Sequence, residues 1–201
     1  MIYNKIVTEK FILGCLVMSL NYYEFEKESG ITGFLGGIVS SAADEFSMKL
    51  YNLGINHETF EADIFYIGEN NKVTFENSIK KRMRESWYGA STEGDETDIE
   101  ELIDSSHFKF IQQDKTTLAN VITNMYGVNF IGVPDIARKF ERDIEYYIQK
   151  PKAIYSLPFE FNKEIYECYS IMSRCYAYSI WDVKLVEYDE YALLLVRGCD
   201  E

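Results

Sequence analysis

Two carboxylates and a nearby lysine pair are the first residues of this chain that could carry chemistry. Glu61 and Asp63 fall two apart in the alternating segment 58–67, so a strand would place both on one face, and Lys80 and Lys81 follow closely. Paired carboxylates with a lysine can bind a divalent metal and activate water, as in many nucleases. The same alternation is expected on any exposed strand face. Metal-dependent hydrolysis is therefore an alternative hypothesis and not the leading one.

The two histidines suggest a second chemistry, acyl transfer. His57 and His107 are the only histidines. His107 follows Ser105 and Ser106, and carboxylates lie close by, so a Ser-His-Asp arrangement can be imagined. Adjacent residues of an extended chain do not face one another, and no GxSxG turn is present. We interpret both histidines as solvated loop residues and predict that the protein is not an enzyme.

Glycines and cysteines complete the candidate chemistry. The segment Gly30 to Gly37 lacks the spacing of a phosphate-binding loop, and we expect a bend between two packed helices. Cys15, Cys168, Cys175 and Cys199 form no CxxC pair, which indicates reduced, mostly buried thiols and no zinc site. No cofactor or metal is predicted.

Charge is distributed unevenly along the chain. Eight carboxylates and no lysine or arginine lie between Glu85 and Phe108, against a net charge of −13 for all 201 residues. The densest basic run, residues 80–84, comes immediately before. The glycine at position 94 is misplaced for an EF-hand, which excludes that calcium loop. We expect an acidic surface loop at 89–104.

Such a block is either a solvated flexible loop or a surface for a positively charged partner. Aromatic anchors beside dense carboxylates are the composition that such an interface needs. The candidate partner-binding residues are Trp87, Tyr88, Asp95, Glu96, Asp98, Glu100, Glu101 and Asp104.

Composition sets the class of protein. A hydrophobic content of 47% is enough for one core, and we predict a single globular domain over 1–201. A pI near 4.7 argues against general binding to nucleic acid or to anionic membrane. The apolar run at 11–20 is too short to span a bilayer and lacks a cleavage site, so we interpret it as a buried helix of a cytoplasmic protein.

Periodicity and turn signals predict an α+β fold: a helix-rich single domain with a small antiparallel sheet that includes a C-terminal hairpin. Residues 192–196 are apolar on both faces, which indicates an internal strand. The predicted helices are about 4–27, from Ser40 or Ser41 to Gly54, 77–88, a short one at 98–104, 114–125, 135–149 and one from Asn162. The predicted strands are 58–67, 72–76, 180–187 and 191–197, with 151–158 as a connector.

The C-terminal segment resembles a known group of proteins. Trp181-Asp182 entering a hairpin, Tyr188 to Tyr191, the apolar run Ala192 to Val196 and the ending Gly198 to Glu201 are similar to the tails of bacterial immunity proteins. These neutralise polymorphic toxins, including those of contact-dependent growth inhibition. The resemblance implies a non-catalytic protein that binds a cognate toxin C-terminal domain, often a nuclease, and blocks it. Another acidic binding protein, such as a nucleic-acid mimic, is the alternative.

Overall fold

A computed structural model of the chain describes residues 31–67, 71–90, 96–127, 130–157, 171–176 and 179–199. A π-helical turn, Ile31–Leu35, leads directly into the first α-helix. The helices of this described part are α1 (Gly36–Asn52), α2 (Asn71–Ala90), α3 (Glu96–Ser105), α4 (Leu118–Tyr126), α5 (Val133–Tyr147) and α6 (171–176).

One antiparallel sheet joins the described strands. They are β1 (Glu58–Tyr66), β2 (Ile111–Gln112), β3 (Ala153–Leu157), β4 (Ser179–Glu187) and β5 (Tyr191–Cys199). Their order across the sheet is β1-β5-β4-β3-β2. The C-terminal hairpin β4–β5 pairs Glu187 with Ala192, so the predicted hairpin and the α+β class are both confirmed.

The sheet is covered on both faces, because β5 is apolar on both. Leu193 and Leu195 pack with α1, α4 and α5, whereas Ala192, Leu194 and Val196 pack with α2, α3 and α6. All five side chains are fully buried. An internal strand with two apolar faces needs a helical layer on each side, and the result is a helix–sheet–helix sandwich with two cores.

Three segments differ from what the sequence predicts. The glycine-rich residues from 31 onward are helical and do not bend, and residues 72–76 belong to α2. Residues 153–157 form β3 and not a connector, because they pair with β4. Local patterns in these segments are weak, and tertiary packing decides them.

Helix ends follow capping chemistry where it is visible. Gly54, with φ +81°, ends α1 as predicted, since only glycine adopts this conformation without strain. The hydroxyl of Thr117 accepts a hydrogen bond from Asn120 N and caps α4, in place of the predicted Asp114. The predicted helix at 4–27 and the start of the one from Asn162 lie outside the described residues.

A buried ion pair ties the sheet to α4. Arg197 Nε and Nη2 lie 2.7 and 2.8 Å from the two carboxylate oxygens of Glu58, and Nη1 donates to Met125 O at the end of α4. The guanidinium also lies over the Tyr126 ring, 4.7 Å from its centroid. One side chain therefore joins β5, the edge strand β1 and a helix.

We predict that Glu58→Gln lowers the free energy of unfolding by about 3 kcal/mol, because it removes the carboxylate that pairs with the largely buried Arg197 guanidinium. Chemical denaturation measures this. Glu101→Gln, on an exposed carboxylate, is the matched control and should change little. The double variant E58L/R197M should recover most of the loss, and a double variant as unstable as E58Q would contradict the explanation.

Candidate functional site

The acidic segment forms a helix that packs on the basic segment before it. Ile99 and Ile103 of α3 are fully buried beside Phe75, Ile79 and Met83 of α2. Isoleucines four apart lie on one face of a helix, which leaves the carboxylates between them on the sides and the outer face. The short helix predicted at 98–104 is therefore confirmed, whereas a loop is wrong for 89–90 and 96–97, which are helical, and residues 91–95 lie outside the described part.

Ion pairs between the two helices use the charges that the sequence places side by side. Arg84 of α2 lies 2.8 Å from Glu100 Oε2 and also binds Asp104 of α3. The hydrogen bond from Arg84 to Glu100 raises the pKa of this guanidinium above its ordinary value. Arg84 of the basic run thus pairs with two carboxylates of the acidic block within the chain.

Lys80 also fastens the C-terminal end of α3. Its Nζ donates to Asp104 O at 2.9 Å and lies 3.2 Å from Glu76 Oε1. A cation at a helix C-terminus satisfies an unpaired carbonyl and complements the helix dipole. The lysine is buried because it closes this contact.

The predicted partner-binding residues have different places in the structure. Trp87 is buried among α2, α3 and the sheet, so its indole is no surface anchor. Glu100 and Asp104 pair with Arg84, whereas Glu101 is exposed. The remaining predictions lie outside what is described: Asp95 entirely, and the side chains of Tyr88, Glu96 and Asp98.

The carboxylates of the hydrolase hypothesis are not arranged as metal ligands. Asp63 Oδ2 lies 2.8 Å from Arg82 Nε, and Lys80 is held by Glu76 and α3. No group of three potential metal ligands occurs among the described side chains. The cation that Asp63 binds is therefore the Arg82 guanidinium of the protein itself.

The imagined serine–histidine arrangement is also not formed. Ser105 and Ser106 donate their hydroxyl protons to Leu102 O and Ile103 O, where they cap the end of α3. His107 Nδ1 lies 3.1 Å from Glu76 Oε1 on the surface. The two hydroxyls are bound to the backbone of their own helix and not to the imidazole.

Exposed apolar side chains mark a different surface. Nine large hydrophobic residues are exposed in the described part, and eight of them lie on the layer formed by α1, α5 and the turns that adjoin these helices. We call this the apolar outer layer: Phe34, Met48, Tyr51, Leu53, Phe130, Ile131, Tyr146 and Tyr147. Ile131 is 94% exposed and Tyr146 81%. A concentration of this kind is typical of a protein-binding surface.

The layer has two apolar ends around a charged middle. Phe34 and Tyr147 meet edge to face at 6.1 Å at one end, where the Tyr146 ring also meets Tyr147 edge to face, at 4.8 Å. At the other end Leu53 lies against Gly132, where a Cβ would come within 2.9 Å of Leu53 Cδ2. Between them, Lys139 Nζ binds Glu45 and Asp143, so the middle is held by its own ion pairs. Helices α1 and α5 are thereby fixed antiparallel.

A signal for this surface is present in the sequence. The predicted core stripe of α5 takes Phe140 and Ile144 inward, and Tyr146, two residues after Ile144, falls on the other side of the helix and is exposed. Tyr147, three residues after Ile144, lies on the side of the stripe, so its 50% exposure does not follow from the pattern.

No family model, curated protein or solved structure matches the chain. None of the described helices is both long and apolar enough to cross a membrane.

We predict that Arg84→Met loosens α3 without unfolding the protein. Partly exposed ion pairs contribute up to about 1 kcal/mol, which corresponds to about fivefold faster local opening. Amide hydrogen exchange at Ile99 and Ile103 measures it. Arg138→Met removes a comparable surface pair, with Asp135, from α5 and is the matched control. Unchanged exchange in α3 would show that apolar packing alone holds the helix.

Proposed function

We propose that this protein is an immunity protein, which binds and neutralises a cognate bacterial toxin domain in the cytoplasm without catalysis. The partner is a basic, nuclease-type toxin C-terminal domain. The observation that carries the proposal is the apolar outer layer, because eight exposed large side chains in one layer favour protein binding over small-molecule chemistry. The similarity of the C-terminal segment to immunity proteins supports the same reading.

Exposed aromatic side chains can supply much of the binding free energy of such an interface. Tyr51, Tyr146 and Phe34 are exposed by 65, 81 and 65%, so each has a large area to bury. Tyrosines and other aromatics carry much of the binding free energy when they enter desolvated pockets of a partner. This exposure supports the apolar outer layer, in place of Trp87, as the aromatic anchor of the proposed interface.

The negative charge of the chain can speed the association with a basic partner. A net charge of −13 attracts a basic partner and increases the association rate at low salt. Local pairing lowers what the acidic segment itself can offer, since Arg84 neutralises Glu100 and Asp104. Glu101 on the outer face of α3 stays available to a partner.

The nucleic-acid mimic is less well supported as a second function. Mimicry of a phosphate backbone needs carboxylates spread over an extended face and free of cations. Here Arg82 and Arg84 engage Glu85, Glu100 and Asp104. Competition with DNA for several unrelated DNA-binding proteins would favour mimicry nonetheless.

The decisive experiment is co-purification with the product of the adjacent upstream gene. We expect a toxin domain with a basic surface to bind, and its toxicity to disappear when this chain is present. A neighbouring gene product that neither binds nor is neutralised would contradict the proposal.

We predict that Tyr146→Ala and Ile131→Ser each weaken the complex at least about tenfold, since a hot-spot residue contributes about 2 kcal/mol or more. Calorimetry with the purified toxin domain measures it. Leu102→Ser is the matched control, because Leu102 is the ninth exposed hydrophobic and lies on α3, across the sheet. A loss of affinity in L102S alone would move the interface to the acidic helix.

We predict that Asp95→Asn with Glu101→Gln slows association and reduces its salt dependence, while the dissociation rate changes little. Glu100 is left intact because it binds Arg84, so the ion pair between α2 and α3 is kept in the variant. Stopped-flow measurement at two ionic strengths gives the rates. An unchanged association rate would remove this segment from the encounter surface.

A further inference from the structure

The chain turns sharply just before α5, and Ile131 stands at the tip of the turn. Val133 N donates to Phe130 O at 3.2 Å, so Ile131 and Gly132 are the two central residues of a β-turn. Gly132 has a φ of +101°, a left-handed conformation that residues with a side chain adopt only with strain. Among the large hydrophobic side chains of the described part, that of Ile131 is the most exposed, at 94%.

The orientation of Ile131 departs from the usual start of a helix. α5 begins at Val133 with Gly132 as its N-cap, so Ile131 and Ile136 hold the two positions that commonly pack together as a hydrophobic staple. An N-cap residue usually has an extended backbone, whereas that of Gly132 is left-handed. Ile136 packs on the core, and Ile131 is too exposed to lie against it. The turn therefore presents to solvent an apolar side chain that the start of a helix ordinarily covers.

The backbone of this tip is held from two sides. A Cβ at Gly132 would come within 2.9 Å of Leu53 Cδ2, so the leucine fills the space beside the turn. Gly132 O accepts hydrogen bonds from Asp135 N at 3.1 Å and Ile136 N at 3.3 Å, and Pro134 fixes the first turn of α5. A side chain on a backbone that is already fixed loses little conformational freedom when it binds.

The relief of the surface around Ile131 selects the shape of a partner. The neighbouring Phe130 and Leu53 are only 37% and 43% exposed, so Ile131 projects beyond both. A flat surface that contacts Ile131 would leave gaps above these two side chains. The centre of a protein interface is packed as closely as a protein interior, which requires a hollow opposite the projecting side chain.

We propose that the toxin domain carries an apolar socket that receives Ile131, and that Gly132 and Leu53 are positioning residues that hold this side chain outward. The tip is continuous with the apolar outer layer, to which Ile131, Phe130 and Leu53 belong. The inference rests on the proposed function, which supplies the partner. An anionic membrane is a poor match, because residues 128–137 include no lysine or arginine and the net charge is −13.

A series of side-chain sizes at position 131 tests the socket. Ile131→Ala and Ile131→Trp should each weaken binding of the purified toxin domain at least about tenfold, because a socket loses contacts to the smaller side chain and cannot admit the larger one. Calorimetry measures the affinity. Leu102→Trp, on α3, is the matched control for an added tryptophan and should bind as the original chain does. An I131W variant that binds as well as or better than the original chain would show a flat contact and overturn the proposal.

A double-mutant cycle tests the positioning role. Gly132→Ala should weaken binding at least about fivefold in the original chain and less than about twofold in the I131A variant, because it acts through the side chain of Ile131. Gly127→Ala is the matched control, since Gly127 also has a positive φ, +80°, but no atom lies within 4 Å of an added Cβ. An equal loss in both backgrounds would show a merely structural role. The size series does not depend on the folding of G132A, because so exposed a side chain contributes little to the folded chain.

The outcomes separate this inference from the proposed function. A toxin domain that is neutralised, yet binds the I131A and I131W variants as tightly as the original chain, would overturn the socket and leave the proposed function intact. An upstream gene product that is neither bound nor neutralised would overturn both. Ile131-dependent binding to vesicles of phosphatidylcholine and phosphatidylglycerol would assign the tip to a membrane, and a dimer that I131A abolishes would assign it to a second copy. Either result would overturn the proposal.

Discussion

The two-sided burial of β5 is the constraint on which the remaining structure depends. Leu193 and Leu195 need one apolar layer, and Leu194 and Val196 need another on the opposite face. If one face of the sheet were exposed to solvent, half of the apolar side chains of β5 would be exposed too. Helices must therefore cover both faces. The chain supplies them from separate regions, α1, α4 and α5 for one face and α2, α3 and α6 for the other. The Arg197–Glu58 pair then fixes the register of β1 beside β5 at the end where α4 arrives.

The charge reversal between residues 80 and 104 first of all provides contacts within the chain, between α2 and α3. A basic run followed by an acidic one can pair if both are helical and lie side by side. Arg84 pairs in this way with Glu100 of α3, and Lys80 binds the backbone carbonyl of Asp104. The isoleucines of α3 supply the packing, while the charges select its orientation. A charged block is therefore evidence for an external partner only after neighbouring charges of opposite sign have been considered.

The fold class, β1 and the C-terminal hairpin are predictable because their signals are local and strong. An alternation of period two, an apolar run and a tight turn each occur within ten residues. Residues 72–76 and 153–157 are not predictable in this way, since α2 is decided by its contact with α3 and β3 by its ladder with β4. For the candidate surface, Trp87 shows the general difficulty: composition identifies an aromatic but not the side of the helix it occupies. Burial by α3 decides that, and it is a tertiary property.

The two edges of the sheet differ in a way that bears on what can reach them. β2 is only two residues long, which is a common protection against unwanted pairing, whereas β1 has nine residues and no proline or lysine. What protects β1 is its position between α1 and α2: Gly36 and Ser40 of α1 and Lys81, Arg82 and Glu85 of α2 line the space beside residues 62–66. Two carboxylates of this strand are used within the chain, because Asp63 pairs with Arg82 and Glu58 with Arg197. A short strand thus protects one edge of the described sheet, and flanking helices with paired charges protect the other.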